Sequence, residues 1–237
     1  MTTLLITLVP PIIILLYFVL TDKFKEPKGT VILIFFLGFL ICLPAGILNE
    51  LSRDFFFNRL NYSENLTWSF LGPAWAEELL KFSILYLVVL RRKEFNEPMD
   101  GLVYGVVVSL GFATYENYTY VYEWAAVIAE EENVNLSELS NYIAFARSYS
   151  AVPMHGLNGA VMGYYFGMYV FSGNKNYLGL SLGLPYLFHG FYNYILFPNS
   201  MIIIVILLIF SLYLHKDLRK KQELKKTEKE QIKIKIK

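Results

Sequence analysis

The chain has 237 residues, of which 55% are hydrophobic, 17% aromatic and only 17% charged, with a formal net charge of +1. That balance is too apolar and too sparsely charged for a soluble domain of this length, and it offers no basic footprint for nucleic acid. The chain reads instead as an all-α, polytopic membrane helix bundle, and its single cysteine, Cys42, excludes an intrachain disulfide.

Apolar runs long enough to cross about 30 Å of hydrocarbon fall near 3–20, 30–48, 68–90, 101–122, 145–171, 177–197 and 200–215, which predicts about seven transmembrane helices. The first run has no Lys or Arg before it, no small-residue cleavage site and Pro10-Pro11 at its middle, so it is expected to be a retained span. On this reading residues 1–66 hold the first two spans and an outer loop. Residues 67–197 form a core with polar groups inside its spans, and residues 198–237 carry the last span and a basic tail.

Orientation follows from Lys and Arg placement. An outer N-terminus puts Lys23, Lys25, Lys28, Arg91, Arg92, Lys93, Lys175 and the tail in the cytoplasm, leaving mainly Arg53, Arg59 and Arg147 outside. The expected location is the plasma membrane, multi-pass, with the C-terminus cytoplasmic. The acidic stretch from Glu130 to Glu138 then becomes an outer loop, and His215 an interfacial residue with no chemical role. The Lys-rich tail is read as a solvated end that fixes topology beside the lipid head groups.

The third span contains Trp75-Ala76-Glu77-Glu78-Leu79-Leu80-Lys81. A charge near mid-membrane costs about 2.5–3.5 kcal/mol on insertion scales, so this run demands a function. Lys81 is i,i+4 from Glu77 and i,i+3 from Glu78, so one carboxylate can pair with it while the other points elsewhere. Helical geometry separates the two by about 100°, which leaves open which one faces a site.

Later spans add Glu116, His155 and the pair His189 and Asn193, the last two on one helix face. Counted along their spans, Glu77, His155 and His189 lie roughly 12–15 Å deep and Glu116 about 9 Å deep. Four helices bringing polar groups to one level imply a chamber in the outer half of the membrane. Small residues recur every fourth position at Gly101, Gly105, Ser109 and Ala113, at Gly159, Gly163 and Gly167 after His155, and at Gly179 and Gly183 before His189. Such ridges let helix backbones close on one another.

Two carboxylates and two imidazoles in a partly desolvated chamber can hold a water, take its proton and protonate a leaving amine. An imidazole and an amide one turn apart can donate to a developing oxyanion. Serine, cysteine and zincin chemistries lack their patterns, since there is no Gly-x-Ser-x-Gly, no reactive-looking Cys and no His-Glu-x-x-His. No cofactor is expected, with zinc held by Glu and His as the open alternative.

Three segments resemble the motifs of the PrsW intramembrane proteases. Glu77-Glu78-Leu79-Leu80-Lys81 resembles Glu-Glu-x-x-Lys, Phe112 to Glu116 resembles Phe-x-x-x-Glu, and His189 to Asn193 resembles His-x-x-x-Asp. The resemblance covers residues 70–197. It implies a bacterial site-1 protease of regulated intramembrane proteolysis, which cuts a membrane-anchored anti-sigma factor near its extracytoplasmic face, and kinship with the CAAX prenyl endopeptidase/ABI superfamily. It also implies roles: Glu77 the base, Glu78, Lys81 and Phe112 its support, Glu116 a second water-handling group, and His189 with Asn193 the oxyanion site. His155 joins them by its level in the membrane. Asn193 stands where PrsW proteins have Asp and the prenyl endopeptidases have Asn, whereas Glu116 follows the PrsW pattern. Competing readings are a CAAX-type prenyl-protein or peptide endopeptidase with a chamber open to the cytoplasm, a proton-coupled transporter, and a non-catalytic membrane scaffold whose buried charges only pair with each other.

Overall fold

The computed structural model describes residues 2–195 and 198–235, and every regular element among them is helical. In chain order these are α1 (Thr2–Thr21), α2 (Lys28–Leu40), α3 (Cys42–Ser52), α4 (Glu64–Leu66), α5 (Trp75–Leu87), α6 (Pro98–Tyr118), α7 (Ala125–Glu131), α8 (Leu136–Tyr149), α9 (Ala151–Ser172), α10 (Asn176–Ile195) and α11 (Met201–Lys235). Wider π-helical turns at Arg53–Arg59, Thr67–Ala74 and Thr119–Trp124 carry α3, α5 and α6 into their neighbours.

Three stretches are long and apolar enough to cross a membrane: Thr2–Thr21, Lys28–Arg59 and Met201–Thr227. The other expected spans are diluted by the polar groups and glycines that make them interesting. Helices α6, α9 and α10 have 21, 22 and 20 residues, about 30 Å each at 1.5 Å per residue. The expected total of seven therefore requires α5, α6, α9 and α10 to span as well.

Helix α6 is the axis of the bundle, with 16 of its 21 residues buried. Its start is fixed by Pro98 and by Asp100, whose Oδ2 accepts from the backbone N–H of Asn96 (2.7 Å) and Glu97 (2.8 Å). Along one side it meets α9 backbone to backbone. A methyl group on Gly105 would lie 2.8 Å from Gly163 Cα, and one on Gly101 would lie 2.9 Å from Gly167 Cα. No side chain fits in that seam, and forcing one in would cost about 1–3 kcal/mol. On the other side Gly38 of α2 rests on the backbone of Val108, and Gly111 rests on that of Phe35.

The structure departs from the sequence reading in four places. The expected span 145–171 begins only at Ala151, because Ser150 (φ −116°, ψ −86°) breaks the chain. Its first residues belong to α8, a separate helix packed against α1. The acidic stretch is a helical turn-back, with α7 ending at Glu131 and Asn135 Oδ1 capping α8 by accepting from Glu138 N at 3.1 Å. Gly179 and Gly183 do not bring backbones together. Nothing lies within 4 Å of a methyl built on either, and both face an apolar groove lined by Trp75, Leu79 and Tyr186. Finally, α11 runs on past residue 215 through Lys235. His215 is buried, with Nε2 3.1 Å from Thr21 Oγ1 and its ring against Tyr17 and Phe18, so it is a packing residue of the bundle's end.

Candidate active site

The polar side chains of α5, α6, α9 and α10 converge at one end of the bundle. The wide turn Thr67–Ala74, with Pro73 inside it, leads into α5 and turns Glu77, Glu78 and Lys81 inward, where all three are buried. Lys81 is fully enclosed, and its ammonium is accounted for on several sides. It donates to Glu78 Oε1 at 2.8 Å, lies 2.9 Å from His155 Nδ1 and sits 4.3 Å from the centre of the Phe112 ring. An ammonium only donates, so His155 Nδ1 accepts. The ring proton is then on Nε2, which donates to Glu116 Oε2 at 2.9 Å.

Glu78 Oε1 also accepts from His189 Nδ1 at 2.8 Å. This fixes the His189 ring with Nε2 toward Glu77 Oε2, 4.0 Å away. The two adjacent glutamates thus separate in duty. Glu78 is a fully buried hub holding Lys81 and His189, while Glu77 lines a cavity. Glu77 Oε2 is buried with no hydrogen-bond partner among the described residues, and Oε1 lies 3.5 Å from Asn49 Nδ2. The question left by helical geometry is answered by packing: Glu77 faces the chamber.

That cavity has a volume of about 850 Å³ and is also lined by Trp68, Tyr120, His155, His189 and Asn193. Such a volume suits several residues of an extended peptide. Asn193 sits one turn beyond His189 on the same wall. Helix α10 is held there by α9, where Asn158 Nδ2 donates to the carbonyl of Pro185 at 2.9 Å and Ser181 Oγ donates to that of Met162 at 2.8 Å.

Arg147 is the site residue that sequence reasoning missed, having been counted among the loop charges. Its Nη2 donates to Glu116 Oε2 at 2.6 Å, its Nε donates to Asn117 Oδ1 at 2.6 Å, and its guanidinium stacks 4.1 Å from the centre of the Tyr120 ring. The available signal was an arginine at the edge of an apolar run, on the same expected side of the membrane as Glu116. Depth counting was also misleading for His155. With α9 starting at Ala151, His155 is about 6 Å into its helix rather than 12–15 Å. The convergence is real, but contacts establish it, not the count.

The ligand atoms of Glu77, His155 and His189 all lie within 4.8 Å of one another. Two imidazoles and a carboxylate are a donor set of the kind that holds zinc in hydrolases. The hydrogen bond from His189 Nδ1 to Glu78 is the outer-shell contact such a ligand requires. Glu77 Oε2, which has no hydrogen-bond partner among the described residues, and His189 Nε2 fit the group, whereas both His155 nitrogens are engaged, Nδ1 by Lys81 and Nε2 by Glu116, so His155 joins the set only when one of those contacts is released.

The family described as PrsW family intramembrane metalloprotease matches residues 26–215. The chain belongs to the PrsW family. The protein named Protease PrsW from Bacillus subtilis (strain 168) is 35% identical over 192 residues, covering 79% of either chain. Its counterpart in Oceanobacillus iheyensis is 34% identical over 215 residues, 86% of this chain and 90% of the relative. That of Clostridioides difficile (strain 630) is 30% identical over 217 residues, 90% and 86% respectively. No solved structure matches the chain. The PrsW match is wider than residues 70–197. It takes in α2, α3 and the apolar half of α11, so the helices outside the three motifs are part of the family's scaffold. The protein is a membrane-embedded PrsW protease, and its motif residues converge on one cavity.

Proposed function

We propose that this PrsW protease hydrolyses a peptide bond of a membrane-anchored protein, such as an anti-sigma factor, in the cavity between Glu77, His189 and Asn193. The observation that carries the reading is the Glu77 carboxylate, buried against the cavity with Oε2 3.8 Å from Lys81 Nζ and without a hydrogen-bond partner among the described residues. On a seven-span topology with the N-terminus outside, the site lies toward the extracytoplasmic face of the plasma membrane, where a tethered substrate is reachable.

In the metal-free version Glu77 Oε2 takes the proton of the attacking water and passes it to the leaving amine. Asn193 donates its side-chain N–H to the oxyanion. Glu78 holds the His189 ring, and Arg147 with His155 fixes Glu116 on the opposite wall. Those contacts leave the reacting groups little to reorganise, and pre-positioning of this kind supplies much of the rate.

Glu77 and His189, with His155 once its contact to Lys81 or Glu116 is released, would hold a zinc-class ion, which when bound supplies a Lewis acid and a more acidic water. A specific observation favours that version. His189 donates from Nδ1 to Glu78, so in the neutral ring Nε2 offers a lone pair rather than a donor. The metal-free glutamate version needs a proton on Nε2 as well. Cleavage of a tagged single-span substrate by detergent-purified protein separates the two. Glu77→Gln, shown to be folded, is expected to cut about 10²- to 10⁴-fold more slowly. Loss of wild-type cleavage to a strong chelator and its return with zinc identifies the metalloprotease, and cleavage that survives chelation identifies the glutamate enzyme. A folded Glu77→Gln protein that cuts as fast as wild type overturns the site.

A further inference from the structure

A second set of buried carboxylates lies at the opposite end of α6. Asp100 belongs to its first turn and Glu116 to its last, about 24 Å apart along the axis. Around Asp100, the α1–α2 connector brings Asp22 and Glu26, and all three side chains are buried with carboxylate oxygens within 4.8 Å of one another.

Each carboxylate has one oxygen committed. Asp22 Oδ1 accepts from Phe24 N (3.0 Å) and from Gln222 Nε2 (2.7 Å). Asp100 Oδ2 caps α6, and Glu26 Oε2 accepts from the Tyr104 hydroxyl. Asp22 Oδ2 and Asp100 Oδ1 are buried with no hydrogen-bond partner among the described residues. None of the three carboxylates is in an ion pair among those residues. The neighbouring cations are engaged elsewhere: Lys23 with Glu223 at 3.0 Å, Lys225 with Glu97 at 3.0 Å, and Lys25 and Arg219 with backbone carbonyls at the end of α1.

Three buried carboxylates facing one another repel unless a proton or a cation sits among them. Burial pushes Asp22 and Glu26 above the usual carboxylate range, reinforced by Glu97 beside Asp22 and by Asp22 beside Glu26. A proton shared between Glu26 and Asp100 would relieve part of the repulsion, but it would leave the Asp22 carboxylate, with its buried and unpartnered Oδ2, unbalanced. A divalent cation accounts for all three carboxylates. The donors are oxygens alone, with no His or Cys, which selects a hard ion over zinc.

We propose that Asp22, Glu26 and Asp100 form a second metal site, distinct from the active site, for a hard divalent cation of the Ca²⁺ or Mg²⁺ class. The ion ties the α1–α2 connector to the start of α6 and, through Gln222 on Asp22, to the tail helix α11.

Tb³⁺ is the probe, since it replaces Ca²⁺ at oxygen sites and can be excited through Tyr104 beside Glu26. Full-length protein in detergent is expected to give saturable Tb³⁺ luminescence that Ca²⁺ or Mg²⁺ displaces, and a melting temperature raised by the same ions. Glu26→Gln should abolish both, while Glu77→Gln at the active site should keep both. Removing the outer contact with Gln222→Ala should weaken binding by roughly 10- to 100-fold. Because Glu26→Gln also removes repulsion, it should melt no lower than wild type in chelator, so loss of the signal cannot be put down to misfolding. Displaceable luminescence that persists in both Glu26→Gln and Asp22→Asn overturns the proposal. So does a wild type that takes up none of these ions, which would leave a shared proton as the balance.

Discussion

The two ends of α6 treat buried negative charge differently. At the Glu116 end, protein cations do the balancing: Lys81 on Glu78, and Arg147 on Glu116. At the Asp100 end, the carboxylates meet hydrogen-bond donors and no ion-pair partner among the described residues. The difference teaches what each end can do. Internal pairing holds Glu78 and Glu116 still and leaves Glu77 Oε2 turned to the cavity, which suits chemistry on a substrate. Buried carboxylates that gather within 4.8 Å of one another without an ion-pair partner among the described residues suit an ion that comes from outside.

The comparison breaks most severely if the internal cations are removed. Lys81→Met strands Glu78 in the interior. It should cost about 3–5 kcal/mol, read as a lower denaturation midpoint together with lost cleavage, and Glu78→Gln in the same chain should restore much of the stability but not the activity. Glu77→Gln comes next: it should lower kcat about 10²- to 10⁴-fold with the fold intact, because it removes a base and no ion-pair hub. Asn193→Ala should lower kcat about 10²- to 10³-fold with little change in KM, as expected of a donor used only in the transition state. Arg147→Gln keeps a donor near Glu116 but removes the charge. Its effect should be smaller than that of Asn193→Ala and should be strengthened, not masked, by Asn117→Ala, which a double-mutant cycle measures. The smallest effect carries the opposite sign. Glu26→Gln, in the trio without ion pairs, should leave the melting temperature in chelator equal or higher.

The motif groups were legible because each advertises itself on its own helix. The spacing of Glu77, Glu78 and Lys81, and that of His189 and Asn193, places them on shared faces whatever surrounds them. The glycine seam between α6 and α9 was equally readable, since a small residue at every fourth position has few other uses. Arg147 was not, because its meaning depends on Ser150 breaking the chain so that α8 folds back over Glu116. Asp22, Glu26 and Asp100 were hidden for a related reason. In sequence they are ordinary charges flanking apolar runs, and only three-dimensional packing with Gln222 of α11 takes them out of water. Gly179 and Gly183 show the reverse failure, a pattern with the right period but no opposing helix.

The seam has a mechanical consequence. Interiors packed atom to atom have little compressibility, and α6 and α9 meet through their backbones with no cushioning side chains between them. Glu116 and His155, one on each of these helices, therefore stand on a stiff beam. Glu77 and Glu78 on α5, and His189 and Asn193 on α10, belong to helices flanked by a groove of about 580 Å³. The stiffer wall of the cavity is therefore the one made by α6 and α9.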